Sequence, residues 1–354
     1  MSINASIAVL ATDLAFAQTV SQRIDGTRRF KLPASAAPNN ADPSITFGES
    51  VNLVTIVAQP HIFNPAQLGS FLAWGADIAL LTVDSASGID GTTIQLAQEV
   101  AHHHPLMVAI TGLNAATANF DETLAVLSRV MDSRHHAVAL TLPVMRESET
   151  GKDSEVGGIL DLIDLEIRLG DPRDSVSTHA LEQTHFDLID SHFEALTTAV
   201  VVTSTDENLI HEILTHGVHS NDQLRAELLS ATVRREIIPV FAVEDSIGIA
   251  EVIDFAADLE LEVWLPSRVL PHNLLATSLG EGLARVWRGE ITTGQYFANS
   301  TSVHVTAIHG LDGETRSHAH AGEIVRIQTK PVLDAGRLVS EMKSSPLVID
   351  DASA

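Results

Sequence analysis

Residues 75–114, GADIALLTVDSASGIDGTTIQLAQEVAHHHPLMVAITGLN, carry the pattern that decides the fold. An apolar run from Ile78 to Val83 is followed by an Asp84-x-x-x-Gly88 turn and about 12 residues with amphipathic helical spacing. Pro105 and a second apolar run complete the segment. This order predicts a strand, a loop, a helix and a second strand. Because the helix provides a crossover, the two strands are expected to be parallel.

The same alternation continues on both sides of this segment. Further predicted elements are strands at 6–11, 51–58, 136–143, 159–167 and 237–242, and helices at 19–24, after His61 through Phe71, at 187–229 with Ser220 as an N-cap, and at 248–257. Residues 26–44 are predicted to be a loop, and WLP at 264–266 a domain boundary. The pattern predicts an α/β fold with a mainly parallel sheet and helices on both faces.

After residue 270 the composition changes to short runs rich in Val, Ile, Thr and aromatic residues, separated by Gly, Asp and Ser. Their spacing of about 8–12 residues predicts a small β-barrel. A chain of 354 residues is long enough for two or three domains. The tail at 344–354 is expected to be loose.

Composition limits the classes of partner. The formal charge of −25 disfavours free duplex DNA and membrane surfaces, which are also negatively charged. Residues 145–265 hold 26 acidic and 7 basic residues, which form either a solvated face or a surface for a basic partner. With no cysteine, a disulfide framework and thiolate metal sites are excluded, and a cytoplasmic location is expected. The first residues are read as a strand and helix rather than a signal peptide.

Six segments, taken in order, resemble the elongation factor G family of translational GTPases. They are SIAVLATDLAFAQTVSQRI (6–24), VNLVTIVAQPHIF (51–63), residues 75–114, LTLPV with GGILDLIDLEI (140–144 and 157–167), the run from NDQLRAELL to DFAADL (221–259), and ARVWRGEITTGQYF with AHAGEIVRI (284–297 and 319–327). The resemblance implies a P-loop-NTPase-like domain at 1–267 with an inserted subdomain at about 141–236, followed by a barrel at 268–343 similar to the second domain of that family.

The phosphate loop of that family is degenerate in this chain. Phe16 stands where glycine is needed, Ala17 replaces the lysine, and Gln18 replaces the hydroxyl that binds Mg²⁺, although Thr19 lies next to it. Glycines let backbone N–H groups surround the phosphates, and the lysine neutralises their charge. We therefore expect an aromatic ring where a phosphate should lie.

The second motif, D-T-P-G-H in the family, is Val57-Ala58-Gln59-Pro60-His61 here, so only His61 matches. A lone histidine is more often an ordinary surface residue than a catalytic one, and without a bound triphosphate it has nothing to act on.

The base-reading motif N-K-x-D has become Thr111 to Asn114, with Gly112 in place of the lysine and Asn114 in place of the carboxylate. The family's G-S-A is replaced by Val243-Glu244-Asp245, which adds negative charge near an incoming polyphosphate. Losing the lysine and the carboxylate removes about 3–6 kcal/mol, or roughly two to four decades of affinity.

The sequence therefore predicts a pseudo-GTPase that binds the ribosome or another translation component and lacks translocation activity. No catalytic residue and no nucleotide or metal cofactor is expected. One alternative is an active GTPase that uses GTP and Mg²⁺ through unusual residues, with His61 aligning the water. Another is an interaction module with no role in translation.

Two groups of histidines are candidate metal ligands. His102 to His104 lie at a predicted helix end, where positive charge suits the helix dipole, and His318 and His320 lie on a predicted polar loop. Neither group has the spacing of a known metal motif, so no metal site is expected.

Overall fold

The computed structural model describes residues 5–10, 28–31, 44–47, 53–58, 77–147, 154–170, 176–181, 183–216, 220–267, 275–280, 282–298, 301–310, 313–320, 323–333 and 338–340. Within these ranges the strands are β1 (Ala5–Leu10), β2 (Arg28–Lys31), β3 (Ser44–Phe47), β4 (Leu53–Ala58), β5 (Ile78–Asp84), β6 (Leu106–Thr111), β7 (His136–Ala139), β8 (Thr141–Glu147), β9 (Ser154–Asp161), β10 (Glu166–Leu169), β11 (Ser177–Ala180), β12 (Ile237–Ala242), β13 (Leu275–Gly280), β14 (Leu283–Arg288), β15 (Glu290–Thr292), β16 (Gly294–Ala298), β17 (Thr301–His309), β18 (Thr315–Arg316), β19 (His318–His320), β20 (Ile324–Lys330) and β21 (Leu338–Ser340). The helices are α1 (Gly91–His103), α2 (Phe120–Val130), α3 (Gln183–Thr203), α4 (Glu207–His216), α5 (Asn221–Val233) and α6 (Ile249–Ser267).

A six-stranded sheet in the order β4-β1-β5-β6-β12-β7 forms the centre of the N-terminal part. Every neighbouring pair in it is parallel. All six residues of β12 are buried, and so are the first six of β5 and the first five of β6. Such continuous apolar runs are expected where helices or other layers cover both faces of a parallel sheet. The predicted parallel sheet is therefore confirmed.

Side-chain caps fix where the first two helices begin. Asp90 accepts a hydrogen bond from the backbone N–H of Thr93 (2.7 Å) at the start of α1. Asn119 accepts one from Glu122 (3.1 Å) at the start of α2, whose first turn also holds Asp121. Each cap satisfies a backbone donor that has no partner inside the helix, and acidic residues suit the positive end of the helix dipole.

Between β7 and β12, which are neighbours in the parallel sheet, the chain forms a second layer. Strands β8 to β11 make a four-stranded antiparallel sheet in the order β11-β10-β9-β8, and α3, α4 and α5 follow. The Thr141 hydroxyl accepts a hydrogen bond from the Ala242 backbone N–H (2.9 Å), which ties the start of β8 to the end of β12.

Two strand predictions in this region are wrong. The predicted strand 136–143 is divided at Leu140 into β7 and β8, which belong to different sheets. The predicted strand 159–167 contains a reverse turn at 162–165, so that β9 and β10 form a hairpin. The turn has no glycine. Instead, the Asp161 carboxylate accepts hydrogen bonds from the N–H groups of Ile163 (2.8 Å) and Asp164 (3.1 Å).

One smaller prediction needs correction, and the structure adds detail to two others. The predicted loop 26–44 includes β2, whose four residues extend as a strand and pair in antiparallel register with β3. The residues 264–266, which are predicted to mark a domain boundary, belong to the C-terminal end of α6, which ends at Ser267. Ser220 is at the N-cap of α5, as predicted, but its side chain makes no capping hydrogen bond.

The C-terminal strands form a closed sheet in the order β16-β21-β13-β14-β20-β17, and β17 pairs back to β16. Each pairing in this ring is antiparallel, with register shifts between β13 and β14 and between β17 and β20. Such irregularities increase local bending, which a small barrel needs for closure. Its interior is apolar and includes Val286, Tyr296, Val305 and Ile327. The closure agrees with the predicted barrel.

The barrel and the α/β part share buried contacts. Leu283 in β14 and Ile324 in β20 belong to the same buried apolar cluster as the parallel sheet. Arg285, which is fully buried, forms an ion pair with Asp77, which lies directly before β5 and is 5% exposed. A buried ion pair of this kind is sensitive to the loss of either partner.

Several predicted elements lie outside the described residues: the helices at 19–24 and 61–71 and the tail 344–354. Among the helices that the structure describes, none is both long enough and apolar enough to cross a membrane.

Candidate functional site

The carboxyl ends of five parallel strands lie along one edge of the sheet. Leu10 at the end of β1 pairs with Ala58 at the end of β4, and Asp84 at the end of β5 pairs with Thr111 at the end of β6. Ala242 at the end of β12 pairs with Ile110. Ligands of open α/β sheets commonly bind beyond this edge, so the loops that follow these strands form the candidate site.

Thr111 and Gly112 lie where β6 leaves the sheet. The Thr111 hydroxyl donates a hydrogen bond to the Val83 carbonyl (3.4 Å). The backbone carbonyl of Thr111 accepts one from the Ser85 N–H (2.8 Å). Gly112 has a φ of +69°, and a Cβ placed there would lie 2.2 Å from Oδ1 of Asp84. Position 112 therefore has no room for a side chain while Asp84 keeps its place.

The Asp84 carboxylate is held by its own loop. Its Oδ1 accepts from the Ala86 N–H (2.9 Å), and its Oδ2 accepts from the Ser87 hydroxyl (2.5 Å). The Gly88 N–H donates to the Asp84 carbonyl at 3.0 Å, which closes the turn that the Asp-x-x-x-Gly spacing predicts. Gly112 thus faces a carboxylate that is fixed in orientation.

Leu113 and Asn114 use their polar groups in contacts within the protein. The Leu113 N–H donates to Oε2 of Glu244 at 2.6 Å. The side-chain oxygen of Asn114 accepts from the backbone N–H of Val156 in β9 at 2.7 Å. The loop that matches the family's base-reading motif is therefore tied to the segment after β12 and to the antiparallel sheet.

Glu244 forms an isolated antiparallel β-bridge with Ile247 after β12. Its N–H donates to the Ile247 carbonyl (3.1 Å) and its carbonyl accepts from the Ile247 N–H (2.8 Å), while Asp245 adopts a φ of +50°. Burial raises the pKa of the Glu244 carboxyl group, the backbone N–H of Leu113 opposes this, and the negative charges of Asp245 and Asp84 raise the pKa further. Three carboxylates thus lie near one another at this edge.

We expect Glu244→Gln to increase the free energy of unfolding at neutral pH, because glutamine keeps an acceptor for the Leu113 N–H and removes a half-buried charge. When the pKa of a carboxyl group is higher in the folded than in the unfolded protein, the group contributes most to stability at low pH, where it is protonated in both states. This contribution is lost as the pH rises through the folded pKa. The advantage of the variant should therefore shrink as the pH falls toward the unfolded value of 4.5.

The measurement is urea unfolding of wild type and Glu244→Gln between about pH 5.5 and pH 8. Glu194→Gln on the exposed side of α3 is the control, since it changes the net charge equally. A variant less stable than wild type at neutral pH would contradict the interpretation of Glu244 as a charge that opposes folding.

The described residues include only some of the predicted site positions. Phe16, Ala17, Gln18 and His61 lie outside them. Val57 is a residue of β4 in register with Val9 of β1, so it belongs to the regular part of the sheet. The sequence reasoning placed Glu244 near a polyphosphate, but it did not foresee that this carboxylate binds the loop at 113.

The sequence reasoning considered both groups of histidines as metal ligands, but it missed the residues that complete each group. His102 lies with Asp132 and His135, and His318 and His320 lie with Glu290. The signal for the first was an Asp-x-x-His spacing directly after a helix, but nothing local linked it to His102. In the second, β15 pairs with β19 and places Glu290 opposite His320.

The arrangement defines a mixed α/β protein in which a parallel sheet, an antiparallel sheet and their helices are followed by a closed β domain. No protein-family model matches the chain. The crystal structure of the protein ttk003000868 from Thermus thermophilus is similar, with a TM-score of 0.68 and 14% sequence identity. The similarity covers 98% of this chain and 55% of that one, so this chain spans about half of that protein's length. At this identity the likeness establishes the fold alone.

Proposed function

We propose that this chain is an elongation factor G-like pseudo-GTPase that binds the ribosome or another translation component without using GTP. The order of the six sequence segments supports the family, and the fold likeness over nearly the whole chain is compatible with it. The bonding of the loop 111–114 supports the loss of nucleotide use. The proposal depends above all on the hydrogen bonds that this loop makes within the protein.

A guanine base is recognised through a carboxylate that accepts two of its N–H groups, and a neutral amide cannot replace both contacts. Asn114 supplies an amide, and its oxygen is already bonded to the Val156 N–H. The lysine that the family places two residues earlier has no space at Gly112, because even a Cβ would overlap the Asp84 carboxylate. On this proposal the polar groups of the loop hold parts of the protein together and do not bind a base.

The charge at this edge opposes a polyphosphate as well. Burial raises the pKa of the Glu244 carboxyl group, and the negative charges of Asp245 and Asp84 raise it further. A triphosphate with its own negative charge would enter this field without the lysine that neutralises it in the family. Repulsion and the missing contacts both weaken GTP binding.

The first test is isothermal titration calorimetry with GDP and with GTP in the presence of Mg²⁺. We expect no saturable binding, because the lost lysine and carboxylate contacts amount to roughly two to four decades of affinity. A dissociation constant in the low micromolar range would contradict the pseudo-GTPase assignment. Phosphate release that exceeds background and disappears in His61→Ala would instead support the active-GTPase alternative.

The second test concerns the partner. An acidic chain is expected to contact a basic protein surface of the ribosome rather than exposed RNA, whose charge would repel it. We expect the protein to sediment with ribosomes at low salt and to be released as the salt concentration rises. If it stays wholly in the supernatant at low salt, the ribosomal part of the proposal fails. Affinity purification that recovers only non-ribosomal partners would favour an interaction module outside translation.

A further inference from the structure

Three potential ligand side chains meet at the edge of the parallel sheet opposite to the candidate nucleotide edge. His102 comes from the last turn of α1, Asp132 from the turn after α2, and His135 from the residue before β7. One donor atom of each lies within 4.8 Å of the donor atoms of the other two. Two imidazoles and one carboxylate are a ligand set that suits zinc and similar transition metals.

Local structure holds two of these residues in place. The His135 N–H donates to the Asp132 carbonyl at 3.0 Å, and the Arg134 N–H donates to Oδ1 of Asp132 at 2.9 Å. Both bonds close the turn that carries Asp132 and His135. The third residue, His102, has its ring centroid 5.8 Å from that of His135, and its carbonyl accepts from Arg235 at 2.5 Å.

His135 is the most informative member of the group. It is only 8% exposed, and its Nδ1 lies 2.8 Å from Oδ1 of Asp132. This contact is an ion pair when the imidazole is protonated, and no other described residue supplies a hydrogen-bond partner for Nδ1. A divalent cation bound by the ring nitrogen and the carboxylate would satisfy both groups in place of that proton.

We propose that His102, Asp132 and His135 bind a divalent transition-metal ion such as Zn²⁺. Zinc binds nitrogen and carboxylate oxygen at about 2.0–2.2 Å, so two ligand atoms of a tetrahedral site are about 3.3–3.6 Å apart. The ligand atoms lie within 4.8 Å of one another, so the exposed His102 and the half-buried Asp132 would move by up to about 1.5 Å to bind the ion.

The surroundings leave room for further ligands. The group borders a cleft of about 450 Å³ that is also lined by Arg134, Arg234 and Arg235. Arg234 is paired with Glu227 and Glu236, and Arg134 contacts Oδ2 of Asp132, which leaves Oδ1 facing His135. Three protein ligands leave one tetrahedral position for water or for a small anion from the cleft.

The test is a titration of the purified protein with Co²⁺, followed by visible absorption and by competition with Zn²⁺. We expect one ion bound per chain at this site, with affinity at least about tenfold lower in His102→Ala and in Asp132→Asn. Both substitutions are at surface positions, and thermal unfolding confirms that each variant is folded. His211→Ala, an exposed histidine of α4, is the matched control and should bind as wild type does.

His318→Ala separates this site from the histidine group of the barrel. Binding that is lost in His318→Ala and unchanged in His102→Ala would overturn the proposal. So would the absence of Co²⁺ binding at about 1 mM. Because the site lies at the opposite edge of the sheet, these outcomes leave the proposed function unaffected.

Discussion

Replacing Arg285 by alanine is expected to lower the free energy of unfolding by about 3–5 kcal/mol. Arg285 is fully buried in β14, and its guanidinium pairs with the buried carboxylate of Asp77. Removing the arginine would leave that carboxylate in a low-dielectric environment without its cation. Because the pair joins the barrel to the residue before β5, the two parts should also lose their common unfolding transition.

The measurement is urea unfolding followed by far-ultraviolet circular dichroism and by tryptophan fluorescence. Arg146→Ala is the control, because Arg146 pairs with Glu155 at the surface with 62% of its side chain exposed, and should cost less than about 1 kcal/mol. The double variant Arg285→Met with Asp77→Ala should recover much of the loss, since no charge then remains buried. A loss below about 1 kcal/mol in Arg285→Ala would show that the pair is not sealed from solvent.

The sequence predicts the parallel sheet well because its strands are long apolar runs bounded by turn residues. Ile78 to Val83 and the run after Pro105 are such cases, and both strands are found where the pattern places them. The division at Leu140 has no comparable signal, because β7 and β8 form one apolar run whose two halves pair with different partners. Tertiary contacts decide this break, and a local pattern does not contain them.

The candidate site shows the same limit. The absence of a lysine at Gly112 and of a carboxylate at Asn114 is visible in the sequence. What these positions do instead depends on distant residues, since Val156 is 42 residues from Asn114 and Glu244 is 131 residues from Leu113. A departure from a motif can therefore be seen in the sequence, whereas the contacts that the departing residues make require the structure.

Gly112→Ala is expected to destabilise the protein by about 2–5 kcal/mol. The positive φ of +69° costs an alanine about 1–2 kcal/mol. The added Cβ would also displace the Asp84 carboxylate, and with it the hydrogen bonds from Ala86 and Ser87, each worth about 0.5–1.5 kcal/mol. A lysine at this position, as in the family, should do at least as much damage and should not restore GTP binding.

Gly88→Ala isolates the steric part of this effect. Gly88 has a similar φ of +74°, but a Cβ there would meet no atom within 4 Å. Its substitution should therefore cost only the conformational term of about 1–2 kcal/mol. Urea unfolding of the two variants gives the difference directly, and equal losses would mean that Asp84 moves aside freely. In that case position 112 could accept a side chain, and the steric argument against binding of a guanine base by this loop would fail.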